Sequence, residues 1–76
     1  MKLVKVDWLD SCVQSGWQSP ADTYEPSKCT TVGILQKLSK DLVAVSLSIS
    51  DSGGIGDVII IPRKVVTSIK RIKLEE

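Results

Sequence analysis

Seventy-six residues with 10 Lys and Arg against 9 Asp and Glu carry a net charge of +1, which bounds the chain to one domain, residues 1–76, with a small core. Nothing in that balance resembles the basic excess of a protein built to grip a phosphate backbone. His is absent altogether, which removes Ser-His and Cys-His activation, the commonest metal ligand and the usual proton shuttle, so neither an enzyme nor a cofactor or metal is expected.

Hydrophobic residues make up 42% of the chain, with no Phe, one Tyr and two Trp. Any core must therefore be built from Val, Ile and Leu, and β-branched side chains with a restricted χ1 favour strands. Cys12 and Cys29 are too few for a disulfide framework or a four-ligand zinc site. They read as free thiols of a reducing cytoplasm, small buried or half-buried hydrophobes. The chain opens on a charged, alternating stretch rather than a leader, and no apolar run approaches the roughly 18 residues of a membrane span. A cytoplasmic protein without membrane contact is expected.

Val4, Val6 and Trp8 alternate with Lys5 and Asp7, a period of two that predicts a half-buried strand over 2–10. Residues 11–27 hold Gly16, Pro20, Pro26 and many short polar residues, the composition of a loop. Ser19-Pro20-Ala21-Asp22 suits one helical turn with Ser19 as its cap. Trp17 and Tyr24 are expected to fold this loop back onto the sheet, because two free rings would expose much apolar area. A second strand follows over 28–38, with Gly33 in its middle. Glycine there implies a bend or a close approach of another segment.

A polar connection at Ser39-Lys40-Asp41 leads to the clearest pattern in the chain, a strand over 41–50. Val43, Val45, Leu47 and Ile49 face one way and Ala44, Ser46, Ser48 and Ser50 the other. A helix would mix the two sets. Residues 51–56 form a Gly-rich loop, and the continuous apolar run over 57–62 predicts a central strand covered on both faces. Pro62 ends it. Arg63 to Val66 suits a single tight turn, and 67–74 a closing strand. A helix over 63–74 competes, since Val65, Ile69 and Ile72 share helical spacing.

Few constellations carry chemistry. The loop Asp51 to Asp57 lacks the lysine and the following helix of a phosphate cradle, and the carboxylates of a calcium loop. It reads as a hairpin loop that needs positive φ. Trp17 and Tyr24 are the candidate protein-binding residues, as exposed aromatics on a loop. Trp8 reads as core. Arg63, Lys70, Arg71 and Lys73, with Lys64, form the basic cluster and the candidate nucleic-acid surface of an alternative reading. Lys70 and Arg71 point to opposite faces of a strand, so the cluster is split, and a solvated sheet edge explains it as well.

The segment Val6-Asp7-Trp8-Leu9-Asp10-Ser11 with Gly16-Trp17, the middle Thr31-Val32-Gly33-Ile34-Leu35, and Ile61-Pro62 ahead of Val65, Ile69 and Ile72 resemble small phage and prophage proteins that carry no assigned activity. The resemblance spans most of the chain. It implies a Src-homology-three-like small barrel with a single 3-10 turn after the Ile-Pro strand end, and a mobile-element context. The fold expected is thus all-β, a five-stranded, partly open small barrel with one short 3-10 turn before the last strand. The function expected is a non-enzymatic protein-binding or assembly module whose partner is a protein or a second copy of the chain, with weak nucleic-acid binding as the alternative.

Overall fold

The computed structural model describes residues 1–73. Five strands appear in chain order: β1 (Leu3–Asp10), β2 (Ser27–Leu38), β3 (Leu42–Ile49), β4 (Ile55–Pro62) and β5 (Val66–Ile72), with a 3-10 turn at Arg63–Val65 between the last two. Each expected strand is present within two residues of its bounds. Leu74, the expected last residue of the closing strand, lies outside the described residues. The helix that competed for the C-terminal segment does not form; its only helical residues are the single turn ahead of β5.

All pairings are antiparallel, and the strands make one sheet in the order β4-β3-β2-β1-β5. The sheet does not close into a barrel: β4 and β5 sit at its two ends, each hydrogen-bonded on one side only. The expectation for 57–62 is corrected here. β4 is an edge strand, and Val58 and Ile60 are exposed. A continuous apolar run marks a strand covered on both faces only when neighbours exist to cover it, and β4 has a neighbour on one side.

Val4 and Val6 of β1, Val43 and Val45 of β3 and Ile61 of β4 form the core, flanked by the half-buried Trp8, Leu35, Ile59, Val65, Val66 and Ile69. Trp8 thus packs against the core as expected, and its Nε1 donates to Thr31 Oγ1 (3.0 Å). The strict alternation of β3 is half right. Val43 and Val45 are fully buried, but Leu47 and Ile49 on the same face are exposed, while Ala44 and Ser46 on the other face are buried. Ser46 keeps its hydroxyl satisfied by accepting from Gln36 Nε2 (2.9 Å), the hydrogen bond that a buried polar group needs. Gln36 is free to reach it because β2 carries its extra residue there, between Leu35 and Lys37.

Gly33 marks a close approach of β3 to β2. A Cβ on it would lie 2.5 Å from Ser46 O and 2.6 Å from Val45 Cγ1. β3 therefore crosses close over β2 at the one residue without a side chain. N-terminal to that crossing the strands part. The last β2–β3 pair is Ile34 with Ser46, whereas β3 goes on pairing with β4 as far as Ile49 with Ile55. The hairpin beyond Ser46 is thus two-stranded and runs past the body of the sheet. The molecule is long, 53 × 27 × 21 Å with a radius of gyration of 16.0 Å, against about 11 Å for a compact chain of this length.

Candidate functional site

The irregular segment between β1 and β2 does not fold back on the sheet. Every residue from Ser11 to Pro26 is exposed, and Trp17 is 103% exposed relative to its reference. The expectation that Trp17 and Tyr24 cover the sheet is therefore corrected. The segment is shaped by short-range bonds: Asp22 N–H donates to Ser19 O (3.0 Å), Ser19 N–H to Asp22 Oδ2 (2.8 Å), and Tyr24 Oη to Ser19 O (3.3 Å). Ser19 does start a turn as its sequence suggests, and its Oγ accepts from Ala21 N–H. Local polar bonds satisfy these groups without help from the core, so nothing draws the rings inward. Cys12 is likewise exposed, not the buried hydrophobe expected, and Cys29 is half-buried.

The basic residues are split as their strand register requires. Lys70 lies directly across from Lys5, and Arg71 across from Val4 on the opposite face. Arg63 belongs to the 3-10 turn, where its N–H donates to Asp41 O (3.0 Å), and Lys73 follows β5. Among the described residues no cluster of three metal-ligating side chains exists, and no helix is long and apolar enough to cross a membrane.

The Gly-rich loop is a tight hairpin end. Gly53 N–H donates to Ser50 O, Ser50 N–H to Gly54 O, and Gly54 N–H to Ser50 Oγ, with Gly53 at φ +90°. These three backbone donors are thus used within the turn, which is what a hairpin loop needing positive φ implies.

Leu47, Ile49, Ile55, Val58 and Ile60 are all exposed, Leu47 by 62% and Ile60 by 64%. Between the hairpin and the departing end of β2 runs an open cleft of about 540 Å³, lined by Thr30, Val32, Leu47 and Val58 among others. Asp57 sits in this stretch at φ +55°, the left-handed region, which a non-glycine residue enters at a cost. The Leu47/Asp57 position is also the one place where the β3–β4 ladder is interrupted. The sequence places Leu47 and Ile49 on one face of a strand, Val58 and Ile60 on a strand covered on both faces, and Ile55 in the Gly-rich loop, and so does not mark them as exposed together. The signal available was the Gly-rich loop, which lets β3 and β4 pair with each other beyond the reach of β2.

The two-stranded end of the ladder thus holds Leu47, Ile49 and Ile55 in solvent. No family model, no curated protein and no solved structure matches this chain.

Proposed function

We propose that the chain is a non-enzymatic protein-binding or assembly module, with the far end of the β3–β4 hairpin as its working surface. One observation carries this reading: Leu47, Ile49 and Ile55 are exposed at the far end of the hairpin, with Val58 and Ile60 exposed further back along β4, while the buried core cluster has only five members. A small chain gains most by burying such side chains against a partner. Trp17 and Tyr24 add exposed aromatic surface, but on a segment held by local bonds, whereas the hairpin is held by a strand ladder. The strand order supports the Src-homology-three-like comparison, and the phage-type resemblance suits a small assembly component.

Sedimentation velocity over a range of concentrations tests the proposal. The parent chain is expected to sediment faster than a monomer, and Leu47→Ser/Ile49→Ser to shift to monomer with an unchanged thermal melt. A double variant that associates as well as the parent would move the working surface elsewhere. A parent chain that is monomeric throughout would leave only a foreign partner.

Nucleic-acid binding is a second reading, favoured by the Lys5–Lys70 pair. Like charges directly across an antiparallel pair repel, and a phosphate would relieve them. A fluorescent oligonucleotide should then bind at low salt and release steeply as salt rises; no shift at low salt ends this reading.

A further inference from the structure

We infer that the partner of this module is a second copy of the chain, joined head to tail: the open edge of β4 on one copy pairs with the open edge of β5 on the next. This rests on the assembly reading and names its geometry.

The two edges show complementary backbone. Arg63 N–H donates to Asp41 O across the β3–β4 ladder. Antiparallel residues alternate between facing the partner and facing away. Ile61 and Ile59 therefore bond β3, and Ile60 and Val58 turn their N–H and C=O groups to the open side. Pro62 falls in the same outward phase, where its missing N–H breaks no ladder bond. At the other end Leu35 N–H donates to Lys2 O across β1–β2. Lys5 and Leu3 then face β5, so their partners Lys70 and Ile72 face β1, and Ile69 and Arg71 present free N–H and C=O groups. Each edge offers two residues, two positions apart, which is the spacing a new antiparallel ladder needs.

Charge selects between the ways of joining these edges. From Leu42 to Pro62 the chain carries Asp51 and Asp57 and no cation. From Arg63 to Lys73 it carries Arg63, Lys64, Lys70, Arg71 and Lys73 and no carboxylate; Glu75 and Glu76 follow outside the described residues. Two β4 edges would bring aspartates together and two β5 edges would bring five cations onto five. Only β4 against β5 joins opposite charges. The cations also guard β5 against its own kind, whereas β4 has exposed Val58 and Ile60 and no lysine to guard it. Such a contact is heterologous: the same step repeats until a ring closes or a filament grows.

The test blocks one edge at a time. Ile60→Pro removes an outward N–H of β4 without touching the β3–β4 ladder. Lys70→Glu/Arg71→Glu reverses the β5 edge, and Glu at 70 faces Lys5, which favours the fold. Each variant alone is expected to be monomeric by sedimentation with a folded circular dichroism spectrum. Mixed in equal amounts they retain one good β4 edge and one parent β5 edge, and should form a 1:1 dimer of twice the chain mass. Added salt should weaken the parent assembly. If Ile60→Pro disturbs the fold, Ile60→Lys blocks the same edge with its backbone intact. A parent that assembles while the blocked variants assemble equally well, or a mixture that stays monomeric, overturns the head-to-tail pairing and leaves the assembly reading standing. A monomeric parent overturns the head-to-tail pairing as well and leaves the binding-module reading with a foreign partner only.

Discussion

At the scale of single residues, Gly33 decides more than its size suggests. Its missing Cβ lets the Ser46 carbonyl approach, and the neighbouring atoms are backbone and a buried Val45, neither free to move aside. Gly33→Ala should therefore cost about 1–3 kcal/mol, as overpacking does, measured as a lower urea midpoint with an unchanged slope. A loss under about 0.5 kcal/mol would show that the two strands can separate at this point without penalty. The sequence makes this residue legible, because a glycine inside a strand pattern asks for a close neighbour. It does not reveal which neighbour. Trp17 shows the reverse case. Its ring is large and apolar, so burial is the natural expectation, yet the polar residues around it bond among themselves and leave it outside.

Among elements, the strands were legible and their places in the sheet less so. Period-two alternation marks β1 and β3 because side chains on a pleated strand point to opposite faces. The same alternation cannot say how far a neighbouring strand accompanies it. Leu47 and Ile49 follow Val43 and Val45 in perfect phase, and lose their cover only because β2 departs after Ile34. β4 was misplaced for the same reason: Val58 and Ile60 are as apolar as Ile59 and Ile61, and only the sheet order distinguishes them. The hairpin end should accordingly open more readily than the body. Amide hydrogen exchange is expected to be faster for residues 47–55 than for Val43, Val45 and Ile61, which the core protects. Equal protection in dilute, monomeric protein would mean that the two-stranded end is as stable as the five-stranded sheet, against the marginal stability of isolated hairpins.

For the whole molecule, the small core and the elongated shape point the same way. Few side chains are fully buried, and a chain that leaves so much aliphatic surface in water has stability to gain from association. Its melting temperature should rise with protein concentration, since assembly draws on the folded state only. A melting temperature independent of concentration would place all of the stability within one chain. An all-β chain of five strands was readable from the sequence. Closure was not, because it depends on whether β4 and β5 meet, and no local pattern in either strand records that.

The tip of the hairpin has a consequence for chain length. Beyond Ser46 the two strands answer only to each other, and Ser50 closes the turn with its own backbone and hydroxyl. Residues added or removed there in matched pairs change the reach of the hairpin and leave the positions of Val43, Val45 and Ile61 untouched. Loop closure grows only slowly more costly with length. The tip, like the exposed segment from Ser11 to Pro26, is thus a place in this fold where insertions and deletions are free of the core.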